Sequence, residues 1–257
     1  MDKKRVELSV HTNMGNTGSV NDTGNYINAA MRDWQPAIAI TDTECVQAFP
    51  EAFKCVDTCG GIKLIYGCEL YYGYAPHYDK RNPFYILAKN KTGLKELYKL
   101  ISNSPKIFSL DEVDRKNLIL GISIQGELIQ KIIEGADDKE LGKIIERFDY
   151  VLLNPIEYFG WYTKIKDESQ AKEITKRIID VCEKNNVLPI ASDEAYFVFP
   201  MTANVEEFYL IIWVWKTVMS NPIYISEKPM KCLLNLNISG KKRHMKLLLQ
   251  IQILLPI

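Results

Sequence analysis

The chain has 257 residues, of which 47% are apolar and 25% charged, and these proportions are typical of a globular protein. They exclude a disordered, collagen-like or low-complexity chain. Lysine plus arginine and aspartate plus glutamate both number 32, so no net charge attracts nucleic acid or a membrane. The longest apolar run, residues 208–215, is far shorter than the ~20 residues that cross a bilayer. Because residues 1–5 also lack the apolar stretch of a secretion signal, we expect a cytoplasmic protein without a membrane partner.

The first half of the chain alternates short apolar strands with helices. Runs rich in β-branched and aromatic residues predict strands at Val6–Val10, Ala37–Ile40, Lys63–Tyr66 and Phe84–Ala88. A helix is predicted between the second and third of these strands, where Cys55 and Cys59 lie. After the fourth strand, four apolar residues share one helical face: Leu94, Leu97, Tyr98 and Ile101.

The second half continues the alternation. Strands are predicted at Leu118–Ile122, Tyr150–Leu153 and Val187–Ala191. After the first of these, a helix with Leu128, Ile129, Ile132 and Ile133 on one face should end at Gly135. Asp167 and Gln170 have the spacing of a capping box and predict the start of a longer helix, which Asn185 and Asn186 should end.

Strands that alternate with helices are expected to pair in parallel through right-handed crossovers. The chain is therefore predicted to have an α/β fold. Seven such strands favour a closed (β/α) barrel over an open sheet, although periodicity alone leaves both arrangements open.

The six cysteines limit the chemistry that thiols can provide. They are Cys45, Cys55, Cys59, Cys68, Cys182 and Cys232. Without an export signal, reduced thiols are expected rather than a disulfide framework. Cys55 and Cys59 are four residues apart on a predicted helix and could in principle hold zinc. Since no second pair has ligand spacing, buried thiols are the preferred interpretation.

Polar residues stand where several predicted strands end, which is where an α/β barrel places its chemistry. Ser9, His11 and Thr12 follow the first strand, and Thr41-Asp42-Thr43 follows the second. Glu69 follows the third, and residues 192–196 follow the last. Histidine is scarce, because His11, His77 and His244 are the only three in the chain.

In this order, these strand ends resemble the PHP (polymerase and histidinol phosphatase) domain. The chain is most similar to the PHP domain in the PolC-type alpha subunit of bacterial DNA polymerase III. Two stretches carry the resemblance, VQAFPEA at residues 46–52 and LAKNKTGLKELYKLIS at residues 87–102. Similarity extends from about Lys4 to about Tyr224. It implies a distorted seven-stranded (β/α) barrel of the PHP type over residues 1–224.

In active members of the family, the resemblance implies a cluster of zinc or manganese ions at the strand ends, which hydrolyses phosphoesters. Most of the implied ligands are absent here. Ser9 replaces the first histidine of His-x-His, Gly18 the following aspartate, and Thr43 the histidine of Thr-Asp-His. No histidine occurs at residues 82–85, and no histidine or cysteine at residues 121–126. At the position of the family's last motif, Asp-x-His, this chain has Glu194-Ala195-Tyr196.

Two implied ligands remain unchanged, His11 and Glu69, and Glu194 is a partial match. Three scattered ligands cannot hold a metal cluster, and hydroxyl groups are poor ligands for zinc or manganese. We therefore expect no intact metal site, no cofactor and no catalytic residue. His11 is interpreted as a hydrogen-bonded histidine at a strand end, with a single weak metal site as the alternative. Glu69 fits an ordinary ion-paired carboxylate equally well, and His77 matches no ligand position and should be solvated.

The resemblance also implies domains that this sequence does not contain. PolC-type subunits usually carry a proofreading exonuclease inserted after the position of Glu69, but residues 71–82 connect the flanking strands directly. The leading hypothesis is a catalytically degenerate PHP domain whose partners are the other domains of a polymerase III alpha subunit. An active metal-dependent phosphoesterase and a stand-alone binding module that uses a basic tail are the alternatives.

The last 33 residues, 225–257, differ in composition from the rest of the chain. No acidic residue follows Glu227, whereas five basic residues lie between Met230 and Ile257: Lys231, Lys241, Lys242, Arg243 and Lys246. No aromatic residue is interleaved with them to stack bases, so we do not expect this chain alone to bind nucleic acid. We hypothesise that this tail is translated out of frame, that it is poorly docked, and that its end, LLLQIQILLPI, is prone to β-aggregation.

Overall fold

The computed structural model describes residues 6–15, 19–72, 82–102, 109–156, 159, 165, 167–193, 195–196 and 198. Six strands form one curled sheet in the order β1-β2-β3-β4-β5-β6. The strands are β1 Ala37–Ile40, β2 Lys63–Tyr72, β3 Asn82–Ala88, β4 Leu118–Ser123, β5 Tyr150–Leu153 and β6 Leu188–Ala191. The helices are α1 Thr23–Arg32, α2 Phe49–Cys59, α3 Lys91–Ser102, α4 Glu127–Glu134, α5 Asp138–Ile145 and α6 Glu168–Lys184. The distorted α/β barrel predicted from the sequence is confirmed.

The expectation that all strands pair in parallel is wrong for β3. Pairs β1-β2, β4-β5 and β5-β6 are parallel, but β3 is antiparallel to both β2 and β4. Residues 73–81 connect β2 to β3, and this connection is shorter than the dozen or more residues that a parallel crossover needs. The other five strands run in one direction, so their carboxyl ends lie at the same end of the barrel.

The predicted first strand, Val6–Val10, is also irregular. Residues 6–11, hereafter the closing segment, make isolated parallel bridges from Glu7 to Ile38 and from Val10 to Ala195. The Ala195 N–H donates to the Ser9 carbonyl at 2.8 Å, and the His11 N–H donates to the Ala195 carbonyl at 3.0 Å. The segment thus joins β1 to the chain that follows β6. The first of the seven predicted strands is therefore an irregular connection between the two edges of a six-stranded sheet.

The irregularity has a local cause in the side chain of Glu7. Its Oε1 accepts hydrogen bonds from the backbone N–H groups of Leu8 and Ser9, both at 3.0 Å. These two donors are therefore not used in a strand ladder. A regular strand needs such donors for its ladder, so the buried Glu7 carboxylate competes with ladder pairing at Leu8 and Ser9.

Residues alternate between two apolar clusters along the strands. One cluster contains no helical residue and fills the barrel interior: Val6, Leu8, Ala37, Ala39, Ile65, Tyr85, Leu87, Ile119, Tyr150, Leu152 and Ile190. The opposite strand faces pack against the helices in a larger cluster. Gly121 makes room for the interior ring of Tyr150, because a Cβ there would lie 2.0 Å from a ring carbon. The continuous apolar runs that predicted the strands therefore reflect a sheet buried on both faces.

The helix boundaries follow the capping signals in the sequence. The Asp167 carboxylate accepts the Gln170 N–H at 2.8 Å at the start of α6, as predicted. Gly135 follows α4 in the left-handed conformation, with φ of 92°, also as predicted. Within the described ranges, no helix has the length and apolarity needed to span a membrane.

Candidate functional site at the barrel mouth

The carboxyl ends of five strands and the end of the closing segment meet at one end of the barrel, hereafter the mouth. The structure brings His11 and Glu69 together there, with His11 Nε2 3.6 Å from Glu69 Oε2. Ser9 Oγ lies 3.5 Å from the same histidine nitrogen. The Thr43 hydroxyl donates to Glu69 Oε2 at 2.8 Å. Two of the positions where the family has histidine thus hold hydroxyl groups that contact the retained residues.

His11 is fully buried, and the ring of Tyr196 stacks on it with a centroid distance of 4.3 Å and an interplanar angle of 4°. Burial lowers the pKa of His11 to about 3, because the charged ring would lose its hydration. The imidazole next to Glu69 is therefore neutral at neutral pH, and the contact is not a salt bridge. Its Nδ1 has no hydrogen-bond partner among the described residues.

Asp42 is a second buried carboxyl group at the mouth. Its Oδ1 and Oδ2 accept hydrogen bonds from the backbone N–H and the hydroxyl of Thr12, at 2.5 and 2.7 Å. Gly15 packs against it so closely that a Cβ would lie 2.8 Å from Asp42 Oδ1. Burial raises the pKa of Asp42 to about 6, although both hydrogen bonds from Thr12 act in the opposite direction. Asp42 therefore fixes the turn after the closing segment and does not point toward His11 as a free ligand.

Glu7 holds a third buried carboxylate, which the sequence analysis did not single out. Besides Leu8 and Ser9, it accepts the Ser192 hydroxyl at 2.7 Å and the Asp193 N–H at 3.3 Å. We call Glu7 and these four donors the seam. The sequence signal was a lone acidic residue inside an apolar strand run, which indicates a satisfied buried carboxylate.

On the far side of the mouth, the described residues that follow β4 and β5 include the uncharged polar groups Ser123, Gln125 and Asn154. The Ser123 hydroxyl pairs with Asn154 Oδ1 at 3.0 Å. The Asn154 Nδ2 and both amide atoms of Gln125 are buried without a partner in the described part of the chain. This is the region where the family resemblance implies a histidine or cysteine ligand, and amides and a hydroxyl group lie there instead.

The residues at the mouth do not fit the metal cluster that the fold family implies. His11 and Glu69 supply two donors, while Ser9, Thr43 and the stacked Tyr196 surround them with groups that bind zinc or manganese poorly. Within the described ranges, no group of three or more His, Cys, Asp or Glu side chains is placed to hold a metal ion. The described residues alone therefore do not supply the ligand set of such a cluster.

Several residues and segments of the sequence analysis lie outside the described residues. These are Gly18, His77, Glu194, Cys232, His244 and the tail at residues 225–257. Ala195 on one side of Glu194 and Asp193 on the other are described, and both contact the closing segment. The predictions for Glu194 and for the tail therefore remain predictions.

The interpretation of the cysteines as buried thiols needs a correction on α2. Cys45, Cys68 and Cys182 are buried, and burial raises the pKa of Cys45 to about 11 and that of Cys182 to about 12. Cys55 is half-buried and Cys59 is exposed. Cys59 is the last residue of α2, and the buried residues of that helix, Phe49 and Ala52, belong to its first turn.

Comparisons with known proteins support the family resemblance seen in the sequence. The profile of the PHP domain family matches residues 7–188. DNA polymerase III PolC-type from Thermotoga maritima is 31% identical over 138 residues, which cover 49% of this chain and 10% of that protein. The PolC-type polymerase from Halalkalibacterium halodurans is 34% identical over 148 residues, which cover 54% of this chain and 9% of that protein. The chain thus spans about a tenth of the length of these relatives.

Among solved structures, an amidohydrolase from Chromobacterium violaceum with bound sulfate and no metal has a TM-score of 0.43 at 10% identity. The superposition covers 73% of this chain and 86% of that one. The family assignment does not depend on it, because the profile match extends from the closing segment to the first residue of β6. The resemblance seen in the sequence is confirmed, and the chain belongs to the PHP domain family.

Proposed function

We propose that this chain is a catalytically inactive PHP domain with a structural role in a PolC-type DNA polymerase III alpha subunit. The observation that carries the proposal is the replacement of metal ligands by neutral neighbours around His11 and Glu69. Thr43 donates to Glu69, and Tyr196 stacks on His11. Protein groups thus contact both residues that remain of the family's ligand set.

An active metal-dependent phosphoesterase is the second candidate, because His11 Nε2 and Glu69 Oε2 remain 3.6 Å apart. Metal analysis and a phosphodiesterase assay on the purified full chain distinguish the two functions. After incubation with manganese or zinc and gel filtration, we expect well under one ion per chain. We also expect no turnover of bis(p-nitrophenyl) phosphate above that of His11→Ala and Glu69→Gln.

The controls decide how a positive result is interpreted. Turnover that both variants abolish, but that the exposed-site variant Lys143→Ala retains, would contradict the proposal and establish the enzyme. Turnover that survives in His11→Ala and Glu69→Gln would come from a contaminant. Loss of even one ligand or its supporting partner commonly lowers metal affinity or activity 10–100-fold, so the comparison is sensitive.

The partners we propose are the remaining domains of a polymerase III alpha subunit, and the location is the cytoplasm, where such a polymerase works. Support comes from relatives whose names describe whole PolC-type polymerases, of which this chain matches about a tenth. Co-purification of this chain with a PolC-type subunit that lacks its own PHP domain tests this role. Failure to co-purify at micromolar concentration would contradict it.

A further inference from the structure

Two thiols lie together at the end of α2, on the outside of the barrel and away from the mouth. Cys55 and Cys59 are four residues apart, so they share one face of the helix, one turn apart. Cys55 is half-buried, Cys59 is exposed, and neither forms a disulfide. Side chains at this spacing are neighbours on the helix surface, with Cβ atoms about 5–6 Å apart. The pair is therefore a preformed dithiol that solvent can reach.

The electrostatic surroundings of this dithiol favour a cation. Partial burial and the neighbouring Cys59 raise the pKa of Cys55, and the charges of Glu51, one turn earlier on α2, and of Asp22, the N-cap of α1, act in the same direction. A negative potential that opposes loss of a proton also attracts a positive ion that replaces the proton. The helix carboxyl end contributes in the same direction, because its free carbonyl groups carry partial negative charge.

The number of donors selects the kind of cation. Structural zinc is bound by four ligands, almost always in tetrahedral geometry. Around α2, as elsewhere in the described residues, no third His, Cys, Asp or Glu is placed to complete such a set. Monovalent copper is soft, prefers thiolate ligands and is satisfied by two of them.

We propose that Cys55 and Cys59 form a two-coordinate binding site for monovalent copper on the surface of this domain. Binding replaces the two thiol protons by one Cu⁺ ion, giving a bis-thiolate complex and two released protons, with no change of oxidation state. The end of α2 can adjust to the ion, because the next two residues are Gly60 and Gly61, both at positive φ.

The test is an anaerobic competition titration of the full chain, with Cu⁺ as the probe and bathocuproine disulfonate as the competitor. All proteins carry Cys232→Ser, which removes the thiol of the tail from the measurement. We expect one Cu⁺ per chain and a loss of at least tenfold in affinity in Cys55→Ser and in Cys59→Ser. Since two protons leave, affinity should rise about 100-fold per pH unit below the pKa values of the thiols.

A matched control keeps the number of thiols and changes only their geometry. In Cys55→Ser/Asp57→Cys the two thiols are two residues apart and lie on different sides of the helix. This variant should bind as weakly as the single variants. If it binds Cu⁺ as tightly as the parent, the preformed geometry has no role and the proposal is wrong.

Further outcomes also overturn the proposal. Half an equivalent of Cu⁺ with a dimer in gel filtration would mean that the ion bridges two chains. Retention of Zn²⁺ through gel filtration, lost in both serine variants, would mean a site with more ligands. Thermal unfolding gives an independent readout, because an ion bound only to the folded state raises the midpoint in the parent and not in the variants. Unchanged midpoints without Cu⁺ would show that the variants fold.

Discussion

The seam and the mouth both contain a buried carboxylate, and Glu7 and Glu69 are similarly exposed, at 5% and 6%. Their surroundings differ. Glu7 accepts four hydrogen bonds from residues at both ends of the domain, and these bonds hold the barrel closed. Glu69 accepts the Thr43 hydroxyl and faces the neutral ring of His11.

The comparison shows that a carboxylate at a barrel strand end is not by itself evidence of catalysis. Only Glu69 matches the family ligand pattern, whereas Glu7 carries the larger number of structural contacts. A buried carboxylate that holds backbone N–H groups contributes to stability, and its removal leaves those donors unsatisfied. We therefore expect the two positions to respond very differently to substitution.

The largest effect is expected for Glu7→Ala. The variant leaves the Leu8 and Ser9 N–H groups and the Ser192 hydroxyl without their acceptor, which should lower the free energy of unfolding by about 3 to 5 kcal/mol. Urea denaturation measures this change in the free energy of unfolding. Glu69→Gln, which keeps the shape and an acceptor for Thr43, should cost less than about 1 kcal/mol.

Glu7→Gln is the matched control, because an amide oxygen can still accept hydrogen bonds from the backbone. Its loss in free energy of unfolding should lie between those of Glu7→Ala and Glu69→Gln. Equal losses in Glu7→Ala and Glu69→Gln would show that the seam does not hold the barrel closed. A larger loss in Glu69→Gln would reverse the comparison.

The pH dependence of stability separates two groups at the mouth. Burial lowers the pKa of His11 from 6.5 to about 3, so its contribution is present above pH 6.5 and is lost as the pH falls toward 3. Acidification from pH 7 to pH 5 should therefore lower the free energy of unfolding by about 2 kcal/mol through His11. The pKa of Asp42 is raised from 3.8 to about 6, so the folded state binds this proton first. Acidification from pH 7 to pH 5 should therefore raise the free energy of unfolding by about 1 kcal/mol through Asp42.

The two effects oppose each other in the parent protein, so single variants reveal them. Asp42→Asn should lose stability steeply between pH 7 and pH 5, while His11→Gln should gain slightly, as measured by urea denaturation at each pH. Parallel pH profiles for both variants would contradict the assignment of these shifts to burial at the mouth.

The helix cap Asp167 lies far from both regions in the chain, and its substitution shows how much an ordinary surface hydrogen bond contributes to stability. Asp167→Ala removes the acceptor for the Gln170 N–H at the start of α6 and should cost about 1 kcal/mol in the same assay. Asp167→Ser keeps a capping oxygen and should restore most of the loss. A cost as large as that of Glu7→Ala would mean that the seam is not exceptional.

The smallest change is expected in the barrel interior below the mouth. The Tyr150 hydroxyl is buried, and no described residue is its hydrogen-bond partner. Tyr150→Phe removes an unsatisfied polar atom and should leave stability unchanged or raise it by up to about 1 kcal/mol. A loss above about 1 kcal/mol in thermal unfolding would show that the hydroxyl has a stabilising partner.

Much of the fold was predictable because burial on both faces and helix caps leave strong local signals. β1 and β5 have the predicted bounds, and Asp167 and Gly135 mark helix boundaries as expected. The reversal of β3 was not predictable from periodicity, since an apolar run is the same in either direction. The predicted bounds leave 17 residues between the two strands, enough for a parallel crossover, whereas the observed β2 extends to Tyr72 and leaves only nine.

The site was predictable to the extent that the family resemblance located His11 and Glu69. The stacking of Tyr196 on His11 and the hydrogen bond from Thr43 to Glu69 depend on contacts between distant segments, which residue patterns do not encode. The seam escaped notice for the same reason, because Glu7 and Ser192 are 185 residues apart in the chain.

That separation has a consequence for the order of events during synthesis. The closing segment leaves the ribosome before its partners at Ser192, Asp193 and Ala195, which are made nearly two hundred residues later. Until then β1 and the growing sheet have unpaired edges that can associate with other chains. Barrel closure is thus a late step with high contact order, and the nascent domain depends on rapid completion or on chaperones to avoid aggregation.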